Sequence, residues 1–328
     1  MSNEHTEIWS ERWRLTALGG MDRIRLALVA VITGLTFVLY HLQGNTADVR
    51  AFGRSVLSWM ISRWSDSTVA LGAADTSHGW LIPIASIALI WWKRKELMAA
   101  PRKVSWMGLL VVMGALLLHW LGAKTQLPRV SLLSLIVLMW GIPYYLCGWG
   151  VARLLIFPCS YLIFCIPLNF LDGLSFMLRI AMTILTYGIL NGLGLPYERV
   201  GTALFSVHGQ FALEIEAPCS GIRSLLALTA ITALYGYLTQ RTVLKKWILF
   251  LSALPLAVIG NMVRILTIAL VSEAFGQDVG TGLYHDFAGY MIFLAVTIPL
   301  MIVLGNILDT NFREAWQRWK RALLHPTS

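Results

Sequence analysis

Three side chains in the C-terminal part of the chain have the types and the placement for acyl transfer: Cys219, Arg264 and His285. Exchanging one peptide bond for another needs a nucleophile, a proton donor for the departing amine, and positive charge where the carbonyl oxygen becomes an oxyanion. Cys219 would attack to form a thioester, and His285 would act first as acid and then as base. Arg264 would stabilise the oxyanion or position the substrate, since a guanidinium does not deprotonate in a protein and makes no base. Cys219 directly precedes an apolar run and so stands at a helix N-terminus, where exposed N–H groups and the helix dipole favour a thiolate.

Other residues stand around these three in sequence. Ser220 follows the thiol, and Arg223 lies one turn below it on the same face. Arg223 could bind an acidic residue of a substrate or pair with Glu214 or Glu216. Asn261 precedes Arg264 by three residues and shares its face, where it could orient the guanidinium. Gly289, four residues after His285, leaves room for a neighbouring helix to pack closely. Cys147, Cys159 and Cys165 show no CxxC or Cys/His spacing and read as small apolar residues at lipid interfaces. We expect no metal and no cofactor.

The elements that hold these residues are set by composition. The 328 residues are 57% hydrophobic and 13% charged, against roughly a quarter charged in a soluble domain, so the solvent for most of the chain is lipid. A net charge of +9 could suggest nucleic acid. Lys and Arg instead cluster beside apolar runs, where cytoplasmic loops carry them, so we expect a bilayer and no nucleic acid as partner. The opening MSNEHTEIWSERWRLTALGG is polar, unlike a cleaved signal peptide, and we expect it to stay attached.

Hydropathy places spans near 26–42, 77–92, 104–122, 131–148, 154–170, 222–239, 247–271 and 286–306, about eight in an all-α bundle. Residues 43–76 read as an external loop with a surface helix. In 172–190 the residues Asp172, Ser175, Arg179, Thr183 and Thr186 form one polar stripe, which predicts an amphipathic helix lying at the interface. The alternation in ALFSVHGQFALEI predicts a short hairpin outside the lipid. The expected organisation is a cytoplasmic segment over 1–25, one membrane domain over 26–306 and a basic cytoplasmic tail over 307–328. Three successive spans of alternating direction then bring a thiol, a guanidinium and an imidazole to the same outer leaflet. A cation within an apolar helix is costly and usually faces the protein interior at a site.

Pro218-Cys219-Ser220-Gly221-Ile222, Asn261-x-x-Arg264 and His285-x-x-x-Gly289, in that order and each beside a span, resemble the exosortase and archaeosortase family of membrane transpeptidases. The resemblance implies a cysteine protease and transpeptidase of the inner membrane whose site faces outward. Its partners would be membrane-anchored proteins with a C-terminal sorting signal: a short motif such as Pro-Glu-Pro, a membrane helix and a basic tail. Members usually work alongside exopolysaccharide production; substrate, cleavage motif and acceptor nucleophile are not specified by this chain. The same three residue types serve the soluble sortases on an unrelated β-barrel, which would be convergence of sites.

A transporter would spread charge through the bilayer midplane on paired broken helices, whereas here the charge gathers at one face. A non-catalytic scaffold for polysaccharide assembly would tolerate loss of Cys219. No HExxH or comparable pair supports a metalloprotease. The positive-inside pattern predicts that reporter fusions after Lys246 read as cytoplasmic and fusions near Gln277 as external; the reverse assignment would separate Cys219 and His285 from the outer face.

Overall fold

The computed structural model describes residues 20–44, 46, 49–65, 77–167, 172–207, 212–214, 222–281 and 291–309. The expected polar N-terminal segment and basic tail therefore lie almost wholly outside the described residues. Contacts divide the chain into two units, Met1–Ser62 with Trp106–Tyr145, and Arg63–Ser105 with Leu146–Ser328.

In the first unit, α1 (Gly20–Gln43) is followed by the short α2 (Val49–Phe52) and by α3 (Val56–Ser65), which continues past the unit boundary. α4 (Leu81–Trp92) and α5 (Arg94–Ala99) belong to the second unit. α6 (Trp106–Lys124) and α7 (Pro128–Cys147) return to the first, with the end of α7 crossing over. α6 and α7 approach through glycines: a Cβ on Gly108 would strike the backbone of Tyr145, and one on Gly122 would come within 2.8 Å of Ser131 N. Small residues let membrane helices pack by van der Waals contact where lipid supplies no hydrophobic drive. The buried Tyr40 of α1 shares a 2.7 Å hydrogen bond with Ser134 Oγ of α7, and its ring lies 4.3 Å from that of His119 of α6, tilted by 46°.

The second unit pairs α4 with α8 (Trp149–Tyr161), where Ser86 Oγ donates to the Pro158 carbonyl at 2.8 Å. Further on come α9 (Asp172–Gly192), β1 (Tyr197–Val200), β2 (Ala203–Ser206), β3 (Ala212–Glu214) and α10 (Ile222–Thr239). α11 (Val243–Leu251), α12 (Ala253–Phe275), α13 (Gln277–Thr281), a π turn at Phe293–Thr297 and α14 (Ile298–Asp309) complete the order. The span expected over 247–271 is two helices. Pro255 has no N–H for the carbonyl of Leu251, four residues before it, and its ring crowds that carbonyl, so α11 ends there and α12 starts afresh.

Among the described residues, three helical stretches are long and apolar enough to cross a bilayer: Trp106–Lys124, Pro128–Cys147 and Val243–Phe275. Six shorter apolar helices accompany them: Ala30–Gln43, His78–Trp92, Trp149–Cys165, Phe176–Gly192, Ser224–Thr239 and Ala295–Leu308. A helix thus stands at each of the eight expected spans, and Phe176–Gly192 is additional. The protein is an all-α membrane protein apart from its small sheet.

That additional helix corrects the interfacial reading. Thr183 and Thr186 of the polar stripe are fully buried, whereas Phe176, Met177, Ile184 and Leu185 are exposed. A helix lying on the interface would turn its polar side to water; α9 turns it into the protein and offers an apolar side outward, as lipid demands. α9 also runs alongside α12 in the same direction. Leu178 and Met182 line a cleft with Leu254 and Ala257, and farther along Leu190 packs with Ile265, Ile268 and Ala269.

The expected hairpin exists as β2 and β3 of an antiparallel sheet ordered β1-β2-β3. β1 was not foreseen. Val200 pairs with Ala203, leaving Gly201 and Thr202 as a two-residue turn in which Gly201 takes φ +63°, a conformation glycine adopts at no steric cost. Leu204 and Leu213 bury themselves against Ile265 and Ile268 of α12. Three polar contacts fix the sheet. Asn191 Nδ2 donates to the Tyr197 carbonyl while Tyr197 N donates to Asn191 Oδ1, both at 3.2 Å. Ser206 Oγ donates to Glu273 Oε1 of α12 at 2.5 Å, and Gln277 Nε2 donates to the Ala212 carbonyl of β3 at 3.2 Å.

Burial pushes the Tyr197 hydroxyl above the usual tyrosine range, and the neighbouring Glu273 carboxylate adds to this while Ser206 opposes it. A folded-state pKa that is raised gives stability below the unfolded value of about 10 and loses it as pH rises further. Melting in detergent should therefore show alkaline destabilisation beginning near that pH, and Tyr197→Phe should remove this component. Glu273→Ala, which strips a charged acceptor from a buried hydroxyl, should cost about 1–3 kcal/mol, and Glu273→Gln less. Unchanged melting in Glu273→Ala would mean that the sheet is held by its apolar contacts alone.

Candidate active site

Arg264 sits in the middle of α12, eleven residues after its first residue and eleven before its last. The helix has little choice about its neighbours there. A guanidinium in an apolar bundle keeps its donors satisfied only where other elements bring polar groups to it. Asn261, one turn earlier and 3% exposed, lies on the same face. Both line a small cleft with Ser224 of α10, Ala257 and Gly260 of α12, and Ile292 and Thr297 of the last helical stretch. Within α12 the Thr267 hydroxyl donates to the Arg264 carbonyl at 2.9 Å.

The cleft is where the three sequence-defined spans meet. Ser224 comes five residues after Cys219 and one after Arg223, in the first turn of α10. Ile292 comes seven residues after His285. A chain advances at most about 3.3–3.6 Å per residue, so the segment bearing the thiol is tethered within roughly 17 Å of one cleft wall. Cys219, Ser220, His285 and Gly289 themselves lie outside the described residues, as does the side chain of Arg223. Of the seven residues picked from sequence, the structure thus brings Asn261 and Arg264 together and frames them with the elements that lead to the others.

Beside Ser224, two further residues missed in the sequence shape the cleft, Gly260 and Thr297. A Cβ on Gly260 would collide with Thr297 Oγ1, so α12 and the π turn touch directly, one residue before Asn261. Thr297 is buried although it stands in an apolar run. The π turn is a single-turn insertion of the kind frequent at functional sites. The signal for Gly260 was present in Gly260-Asn261-x-x-Arg264, a small residue abutting the polar pair. The π turn had none, because hydropathy does not register a change in hydrogen-bond step.

Among the described residues, the polar lining of the cleft consists of the Arg264 guanidinium and the neutral side chains of Ser224, Asn261 and Thr297. Glu273 lies nine residues along α12, roughly 13 Å at about 1.5 Å per residue, and accepts from Ser206. An anion or a polarised carbonyl oxygen is the natural occupant. Cys159 and Cys165 are buried within the second unit rather than set at a lipid interface as expected, and Cys165 Sγ donates to the Leu162 carbonyl at 2.9 Å. Among the described residues no group of His, Cys, Asp and Glu could hold a metal.

No curated protein and no solved structure matches the chain. A family model described as transmembrane exosortase (Exosortase_EpsH) matches residues 64–302, well over half of the chain and inclusive of every element around the cleft. The protein belongs to the transmembrane exosortase family.

Proposed function

We propose that this protein is a membrane cysteine transpeptidase that processes proteins carrying a C-terminal sorting signal, at the outer face of the inner membrane. The observation that carries the reading is the cleft around Arg264, which joins the start of α10, the middle of α12 and the turn before α14. These are the elements that lead from Cys219 and His285.

The Cys219 thiolate attacks the scissile carbonyl carbon, and the carbonyl electrons move to oxygen beside the Arg264 guanidinium. Collapse of this intermediate breaks the C–N bond; His285 gives its proton to the departing amine, leaving a thioester. The incoming amine or water then loses a proton to His285 and attacks the thioester, and the thiolate leaves. Arg264 retains its proton throughout. Asn261 orients the guanidinium from one turn away, and Arg223 receives the acidic part of a sorting motif. Proteins with a short motif, one apolar helix and a basic tail are the expected substrates, in a cell that exports polysaccharide.

Cys219→Ala should leave the protein inserted and abolish processing of a co-expressed tailed substrate, whereas Cys147→Ala, Cys159→Ala and Cys165→Ala should process it normally. Normal processing by Cys219→Ala would sink the thioester route and favour a scaffold. Arg264→Lys keeps the charge but replaces a planar fork of donors with a compact ammonium. In membranes with matched protein levels it should lower the rate roughly 10²-fold or more, the scale of losing an oxyanion donor. A near-normal rate would reduce Arg264 to an electrostatic anchor.

A further inference from the structure

At the end of the bundle formed by the QRTVLKK link, two lysines from distant parts of the chain meet at one aromatic ring. Lys93, between α4 and α5, places Nζ 5.2 Å from the Tyr237 ring centroid, and Lys246 of α11 places Nζ 4.9 Å from it. Phe157 of α8 covers one face of that ring, stacked at 3.7 Å with an interplanar angle of 1°. Both ammonium groups are thus confined to the remaining face and edges. They lie within roughly 10 Å of each other, about one Debye length at moderate salt, so their repulsion is poorly screened.

The ring offsets part of that repulsion, since a cation near an aromatic face is attracted by the ring quadrupole. It does not neutralise two charges. Among the described residues neither lysine has a carboxylate partner, and the first turn of α11 holds Lys245 and Lys246 with no acidic side chain. The positive end of the α11 dipole adds to the same field. Both lysines are half-buried, so water solvates them less than it would on an open surface. Two cations held at one ring suit an anion.

The surroundings select the anion. Trp91, Trp92, Leu244, Trp247 and Leu251, which flank the two lysines in sequence, are all exposed. Large apolar and indole side chains beside cations mark the depth at which lipid headgroups lie. We propose that Lys93 and Lys246, backed by Tyr237, seat the phosphate of an anionic phospholipid whose acyl chains run over the exposed apolar side chains of α11. A zwitterionic lipid fits less well, because its own ammonium would face the two lysines. The site is separate from the Arg264 cleft and does not depend on the reaction proposed above.

The full-length protein, purified and delipidated in a nonionic detergent, is titrated with phosphatidylglycerol or phosphatidylcholine and bound lipid is counted by native mass spectrometry. Phosphatidylglycerol should bind roughly tenfold or more tightly, on the scale of two lysines each worth about fivefold against an anionic lipid surface. The double variant Lys93→Gln with Lys246→Gln should lose this preference, and Lys93→Arg with Lys246→Arg should keep it. Arg94→Gln removes a neighbouring exposed cation that stacks on Trp91 at 4.5 Å instead, and should change nothing. Equal losses in Arg94→Gln and the double glutamine variant would show general charge attraction and overturn the site. Competition by millimolar inorganic phosphate that abolishes lipid binding would overturn the lipid assignment in favour of free phosphate. Comparable melting temperatures for the variants keep a folding defect from passing as lost binding.

Discussion

A guanidinium in an apolar membrane helix is costly to insert, up to about 2.5–3.5 kcal/mol at the bilayer centre, and Arg264 imposes a cost of this kind on everything packed around α12. The bundle meets it by turning its polar side chains inward. Thr183 and Thr186 of α9, Thr232 of α10, Asn261 and Ser272 of α12, and Thr297 are all buried, whereas apolar side chains both fill the interior, as Leu190, Leu228 and Ile265 do, and cover the outside, as Phe176, Ile184 and Leu254 do. That distribution follows from the solvent: hydroxyls and amides are tolerated inside, where partners exist, and prohibitive against lipid tails. The cleft beside Arg264 is the local consequence, and only short side chains at Gly260 and Ser224 leave it open.

The sheet solves a problem of length. Ser224 in the first turn of α10 lines one cleft with Asn261, so residues 262–275 of α12 rise roughly 21 Å past the start of its antiparallel neighbour at about 1.5 Å per residue. Tyr197, Leu204 and Leu213 cover that overhang by packing on Ile265, Ile268 and Ala269. The chain therefore leaves β3 beside the upper half of α12 and enters α10 near the level of Asn261. Ser206 with Glu273 and Gln277 with Ala212 pin this arrangement from the α12 side. The stretch that contains Cys219 thus follows a strand whose Leu213 packs on α12 and precedes the helix whose Ser224 lines the Arg264 cleft.

The apolar helices were legible because lipid enforces uniform runs, and the span expected over 222–239 corresponds to α10. α9 was legible as an amphipathic helix but not in its orientation: a polar stripe at helical spacing says which side is polar, and only packing says whether that side meets water or protein. β1 escaped because Tyr197-Glu198-Arg199-Val200 is charged at its centre and short, and its pairing depends on the Asn191 clamp rather than on an apolar pattern. The break between α11 and α12 was readable in Pro255, yet the apolar run through it hid the cue. Of the candidate site, Asn261 and Arg264 were found together because a polar pair at i, i+3 in an apolar helix is costly against lipid and must face the protein interior. Gly260 was readable only as a small residue abutting that pair, and Ser224 and Thr297 were not found, since a serine and a threonine acquire meaning only when three helices have been brought to one point.

The contact between Gly260 and Thr297 has a further geometric effect. An α-helix turns about 100° per residue, so the widened π turn at Phe293–Thr297 rotates the residues before it relative to those after it. α14 packs through Met301 against Leu228, Leu249 and Leu256, and Gly305 lies against Tyr235 with its carbonyl accepting from Gln240 Nε2 at 3.1 Å. Those contacts fix the face that α14 presents to α10 and α11. Without the π turn the same face would continue upward, and a different residue would meet the cleft in place of Ile292. The packing of one end of the last helix is thereby separated from the aim of the other. Gly260 holds the turn at backbone distance from α12, so the aim is set one residue from Asn261 and four from Arg264.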